Sequence, residues 1–321
     1  MYRSPHQKNA VHTDDDRLNE NTNEGMRSHP AKQPKNAKNA KKAKKKMTRA
    51  GSVISLVVII VAACVLCFSA YKLITIAVNY NKSADSYDGI REMFTAETKE
   101  EETDESATTN KDIQSDFVWD YDKLYAINND AIGYIRASGD TSDETVDYPI
   151  VKGDDNSYYL DHLFTGVSNS AGSIFMDYTV TDDFDSTYSI LYGHNMKSGA
   201  RMFSCLTYYQ DEAYFKAHPE MHIYTKDKHY IYKVFAQNTT DIYSDFYSTS
   251  LLYQGDLSGS DTAGDEIDRL VNIALSSNTY DMGVSADYFS ADSHIILLST
   301  CTRYNYDTGR YVVLLVRDRE V

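Results

Sequence analysis

Cysteine is scarce in this 321-residue chain: there are four, and none sits in the Cys/His spacing of a zinc site. No structural zinc is therefore expected. Cys64 and Cys67 lie three apart inside an apolar run, where neither metal nor disulfide chemistry is indicated. Basic residues are scarce beyond the first fifty. Residues 1–50 hold 13 Lys+Arg against 5 Asp+Glu, whereas the other 271 hold 19 against 42. So acidic a remainder repels nucleic-acid phosphates, and no nucleic acid is expected as a partner. Long apolar runs are limited to one.

Large apolar side chains are nearly absent from residues 1–50, which cannot bury a core and are expected to be a disordered basic tail. The basic run Lys41 to Arg49 reads as a topogenic flank, with nucleic-acid or lipid head-group binding as the competing reading. It precedes Val53 to Tyr71, 19 uncharged and mostly apolar residues that continue to Val78 across Lys72. At about 1.5 Å per residue this run spans the hydrocarbon of a bilayer. Residues 51–78 are accordingly expected as a single transmembrane helix, with the N-terminus cytoplasmic and the remainder extracellular. A signal peptide cut near Ser69-Ala70 is the competitor, and the long flank and apolar length argue against it. Val61-Ala62-Ala63-Cys64 faintly resembles a lipoprotein processing site. Residues 79–115, with the acidic and threonine-rich stretch Glu97 to Glu105, are read as lacking an apolar period and expected to be a flexible linker.

From Asp116 the composition turns globular. Phe117 to Asn128 carries apolar residues at helical spacing, and Trp119 reads as a packing anchor rather than a recognition aromatic. Short strands are expected around Tyr148 to Val151, Asn156 to Leu160, Gly172 to Asp177 and Tyr188 to Tyr192, as in an antiparallel barrel. Met202 to Phe215 reads as helical, and His222 to Phe235 as a hairpin. Gly264 to Leu275 reads as an amphipathic helix with acidic residues in its first turn. The last hairpin joins Ile295 to Leu298, apolar on consecutive residues and so buried on both faces, to Tyr311 to Val316.

The chemistry-bearing residues fall at strand ends. Cys301 closes the strand from Ile295, Arg310 opens the next, and His194 follows the run Tyr188 to Tyr192 within Gly193-His194-Asn195. A cysteine reacts as the thiolate, which a neighbouring cation favours. The arginine fork can donate two hydrogen bonds to one oxyanion, and histidine is the usual acid/base group. Of the nine histidines, only His194 has this strand-end setting. Arg303 is the rival to Arg310, and Cys205 reads as a small buried residue. A Cys205–Cys301 disulfide, if formed, would remove the nucleophile.

The order Tyr192-Gly193-His194-Asn195-Met196, Leu298-Ser299-Thr300-Cys301 and Arg310 behind a membrane anchor resembles the sortases, cysteine transpeptidases of Gram-positive cell surfaces. Trp119, Leu124, Ile127-Asn128 and Gly133-Tyr134-Ile135, with the helix ahead of the cysteine strand, resemble class B sortases. The resemblance covers residues 116–321. It implies a mostly β catalytic domain: an eight-stranded barrel with an N-terminal helical extension and a helix inserted before the nucleophile strand. It further implies Cys301 as nucleophile, His194 as acid/base and Arg310 as oxyanion donor, with a backbone N–H near the nucleophile. Asn156, Leu160, Ser299 and Thr300 would contribute to substrate binding. The implied reaction cleaves a C-terminal sorting motif of secreted proteins after Thr and transfers the acyl group to a peptidoglycan amine. The implied partners are those motif-bearing proteins and that amine, and no cofactor is needed. Alternatives are a pilin-polymerising sortase, for which a second C-terminal membrane segment is wanting, a hydrolytic thiol peptidase, and a non-enzymatic surface binding module on the same barrel.

Overall fold

The computed structural model describes residues 49–95, 117–142, 144–253, 261–302 and 307–321. Residues 1–48 of the expected tail, 96–115 of the expected linker and Asp116 lie outside the described residues, as does Arg303. Contacts divide the chain into Met1–Ile59 and Ile60–Val321.

The apolar run folds as expected into a helix, α1, Arg49–Glu92. From Val53 to Val78 its large apolar side chains are exposed on every side, which suits a lipid surroundings rather than a protein core. Among the described residues it is the one helix long and apolar enough to cross a membrane. Its far end corrects the expected linker. Residues 79–92 continue α1, and Ser83, Tyr87, Ile90 and Phe94 are buried at a spacing of three and four. That spacing makes one face that runs off the helix end into the turn at Phe94, and the face packs on the barrel. Tyr87 meets Tyr148 edge to face at 5.2 Å, and Phe94 joins an aromatic cluster with Phe117, Trp119 and Tyr134. Trp119 is the packing anchor expected of it, and its indole N–H donates to the Thr225 carbonyl at 2.7 Å.

A short helix, α2 (Tyr121–Ile127), is capped by the Asp120 carboxylate, which accepts from Lys123 N. Eight strands follow: β1 (Ala131–Ala137), β2 (Val146–Val151), β3 (Ile174–Met176), β4 (Tyr188–Tyr192), β5 (Glu220–Tyr224), β6 (His229–Asp241), β7 (Ile295–Cys301) and β8 (Gly309–Glu320). They close into a barrel in the order β1-β2-β3-β4-β7-β8-β6-β5. The expected antiparallel barrel needs correction at two seams, because β2 with β3 and β4 with β7 are parallel. Asn156 to Leu160, expected as a strand, turns instead as a short 3₁₀ helix over Tyr158–Leu160. Asp155 drives this, its carboxylate accepting from Ser157 N at 2.6 Å and Tyr158 N at 2.9 Å. The expected helical stretch 202–215 is a 3₁₀ segment, Phe203–Gln210, followed by α3 (Glu212–Ala217). The amphipathic helix before the cysteine strand is α4, Asp261–Ser276.

Candidate active site

Strand directions bring the chemistry to one rim. β4 runs parallel to β7, so Tyr192 and Cys301 end their strands on the same side, and antiparallel β8 begins there. Cys301 and Arg310 are direct partners across β7 and β8. The next pair outward is hydrogen-bonded, with Thr302 N donating to Gly309 O at 3.1 Å. Cys301 and Arg310 therefore form the non-hydrogen-bonded kind of pair, whose Cβ atoms lie closest, about 5 Å apart. The Arg310 guanidinium donates to the Gly309 carbonyl at 2.9 Å, which uses one of its five N–H donors.

His194 reaches the same rim through Gly193, whose N–H donates to Ser299 O at 3.1 Å. A Cβ at Gly193 would meet Ile174 Cδ1 at 2.5 Å and the Phe203 ring at 2.7 Å, so only glycine fits. The imidazole Nε2 lies 2.7 Å from the Leu160 carbonyl oxygen. A carbonyl can only accept, so Nε2 carries the proton of this contact and Nδ1 is the ring's other nitrogen. Asn195 ties this loop to the end of β7, its amide donating to the Cys301 carbonyl at 2.9 Å.

These groups line a cavity of about 320 Å³, whose wall contains all seven residues singled out from the sequence: His194, Cys301, Arg310, Asn156, Leu160, Ser299 and Thr300. Leu160 is 44% exposed at its mouth. Asn156 is engaged in structure: it donates to Asp177 at 2.9 Å and accepts from Tyr178 N at 3.0 Å. Thr300 is buried, and its hydroxyl has no hydrogen-bond partner among the described residues.

Tyr247 was missed in the sequence. Its hydroxyl shares a 2.7 Å hydrogen bond with Ser299 Oγ. Burial pushes this phenol up to about 12, while the Ser299 bond and Arg310 pull it down and Cys301 raises it. Tyr247 thus sits within electrostatic reach of both. Its signal was absent because it lies in the loop after β6, a tyrosine among 27. Asn195 was legible only as part of Gly-His-Asn.

Cys205 is a free buried thiol, pushed up to about 12 by burial, and Cys301 is likewise unpaired and half-buried. The Cys205–Cys301 disulfide is not formed. No cluster of three or more metal-ligating side chains occurs among the described residues.

A closed barrel thus carries a cysteine and an arginine across one strand pair, with a histidine at the same rim. The sortase domain family matches residues 141–317. Sortase B of Listeria monocytogenes is 33% identical over 217 residues, 66% of this chain and 78% of its own. The structure of Staphylococcus aureus sortase B superposes with a TM-score of 0.52 at 25% identity, covering 62% of this chain and 86% of that one. A Streptococcus pyogenes class B sortase involved in pilus biogenesis gives 0.50 at 27% identity, covering 62% and 97%. The chain belongs to the sortase family of transpeptidases, and its relatives place it in class B.

Proposed function

We propose that this sortase joins secreted proteins to the cell wall by a two-step acyl transfer in which Cys301 is the nucleophile, His194 the acid/base and Arg310 the oxyanion donor. The observation that carries the reading is the cross-strand pairing of Cys301 with Arg310 at a cavity that His194 also lines.

The Cys301 thiolate attacks the carbonyl carbon of the motif threonine, and the C=O electron pair moves onto oxygen. Arg310 donates to that oxyanion. As the intermediate collapses the C–N bond breaks, and His194 Nδ1–H gives its proton to the leaving nitrogen, leaving a thioester. A peptidoglycan amine then attacks the thioester carbonyl and loses its extra proton to His194, and the thiolate departs. One amide is broken and one is made. Ser299, Thr300, Asn156 and Leu160 line the same cavity and would contact the sorting peptide there. The apolar helix anchors the enzyme with its N-terminus in the cytoplasm, so the barrel meets its substrates outside.

The test uses the full chain in lipid nanodiscs, wild type and Cys301→Ala, with peptides carrying Asn-Pro-x-Thr and Ser-Pro-x-Thr motifs, with and without an amine acceptor. Mass spectrometry should show cleavage after Thr, an acyl adduct on Cys301, and an aminolysis product when amine is present. Cleavage that persists in Cys301→Ala would sink the assignment. Cleavage without transfer would mark a hydrolase instead.

A further inference from the structure

The buried face of α1 touches both segments that aim the His194 ring. Ser83 is fully buried; its hydroxyl accepts from Ala200 N at 3.2 Å and donates to Tyr80 O at 2.8 Å. Next to it Gly199, at φ +74°, lies so close that a Cβ would meet Tyr80 O at 2.6 Å and Ser83 Oγ at 2.8 Å. Residues 199 and 200 belong to the loop that leaves His194 and returns at Met202, bridge partner of Asn195. A second contact comes from Tyr87. Its hydroxyl donates to Gly172 O at 2.7 Å, lies 3.2 Å from Ser173 Oγ, and accepts from Phe164 N at 3.4 Å. Ser173 N in turn donates to Tyr159 O at 2.9 Å. Tyr87 thereby gathers the 159–173 segment, whose Leu160 carbonyl receives the His194 Nε2–H. The third contact runs through Tyr148, packed on Tyr87 and under Arg91 at 4.7 Å, whose hydroxyl accepts from Met202 N at 3.1 Å. Cys301 and Arg310, by contrast, are set by the strand ladder itself.

We propose that the end of α1 is a positioning element for the His194 imidazole, with Ser83 holding the 194–202 loop and Tyr87 holding the Leu160 carbonyl that fixes the ring. This rests on His194 being the proton donor. Neither Ser83 nor Tyr87 lines the reaction cavity; both act through other groups. A carbonyl that turns, or a loop that slides, redirects Nδ1 away from the leaving nitrogen while leaving thiol and guanidinium in place. The inference also makes residues 79–94 part of the catalytic unit.

The experiment uses the full chain in nanodiscs as wild type, Ser83→Ala, Tyr87→Phe, the double variant, and His194→Ala as the reference. Two quantities are read: kcat and KM for the peptide cleaved in the assay above, and the alkylation rate of Cys301 by iodoacetamide in alkaline buffer, where hydroxide and not the imidazole takes the thiol proton. Each single variant should lower kcat about tenfold, with Ser83→Ala leaving KM within twofold and alkaline alkylation unchanged in both. The double variant should fall no lower than His194→Ala, because all three act on one proton transfer. Wild-type kcat in both single variants overturns the proposal. So does a loss of kcat matched by an equal loss of alkaline alkylation, which marks a general loss of fold. A His194→Ala variant that keeps wild-type kcat overturns the proton-donor assignment itself, and the positioning role with it.

Discussion

Substituting alanine at Gly193 should damage catalysis far more than it damages the fold. The added Cβ would sit 2.5 Å from Ile174 Cδ1 and 2.7 Å from the Phe203 ring. Non-bonded carbons rest at about 3.5–4.0 Å, so each contact is about 1 Å too short. Ile174 and Phe203 are both fully buried, and neither can swing into solvent. Phe203 is also bound to the His194 carbonyl through its own N–H at 3.0 Å. The methyl is therefore accommodated by backbone movement at 193 and 194. Overpacking of this kind costs about 1–3 kcal/mol. In a barrel of this size each kcal/mol lowers Tm by about 2–4 °C, giving a drop of about 5 °C. A displacement of about 1 Å at a catalytic group costs on the order of 100-fold in rate. Thermal melting and kcat on the cleaved peptide measure the two effects. Gly264→Ala is the control of opposite sign. Its Cβ would meet only Ala291 at 3.8 Å, an ordinary contact in α4, and helix propensity should raise stability by about 0.5–1 kcal/mol. A Gly193→Ala enzyme with kcat within twofold of wild type would refute the argument that tight packing aims His194.

Tyr247→Phe removes one hydroxyl from the Ser299 pair, worth about 1 kcal/mol, and should lower kcat/KM about fivefold. A double-mutant cycle with Ser299→Ala should show coupling of the same size, and purely additive losses would refute the contact's role. Burial holds His222 down to about 4 from 6.5, with His229, Arg136 and Arg319 adding to it and Glu220 opposing. The unfolded chain therefore binds a proton that the fold refuses, so this contribution is intact above about pH 6.5 and is lost as pH falls toward 4. Allowing for solvent screening of a half-exposed ring, the loss is about 1–2 kcal/mol. His222→Gln should melt with a shallower dependence between pH 7 and 4.5, and superimposable Tm curves would refute it. A chain beginning at Asp116 lacks Tyr87, Ile90 and Phe94, each worth about 1.5–3 kcal/mol of burial. It should melt well below a chain beginning at Asn79, and equal Tm values would show that the packed helix face contributes nothing.

The grouping of Cys301, Arg310 and His194 at one rim was legible because its signals are local. Cys301 ends a run of buried apolar residues and Arg310 begins the next, so two short segments and one hairpin suffice to pair them. His194 was found by its place after a similar run. The parallel seams were not legible, because pairing β4 with β7 depends on more than a hundred intervening residues and leaves no mark on either strand's pattern. The 3₁₀ turn at Tyr158–Leu160 looked like a strand because its apolar and aromatic residues are extended-strand formers, while the Asp155 carboxylate decides the backbone. The stripe Ser83, Tyr87, Ile90, Phe94 was present in the sequence at helical spacing. It was hidden by a serine at its first position and by the charged residues between and after its members.

The three catalytic candidates are thus held by forces of different reach, and this predicts where remote substitutions act. Cys301 and Arg310 are neighbours in a ladder of backbone hydrogen bonds, the part of a barrel that opens least. The imidazole depends on one carbonyl 34 residues away in sequence, on a glycine with no room for a methyl, and on a helix that ends more than a hundred residues upstream. None of these is a ladder contact. Substitutions outside the rim should accordingly disturb the His194 ring before they disturb Cys301, leaving enzymes whose Cys301 still reacts with small thiol reagents but that turn over peptide slowly. Reactivity of the thiol and turnover of substrate are then separable quantities in this protein, with α1 acting on the second.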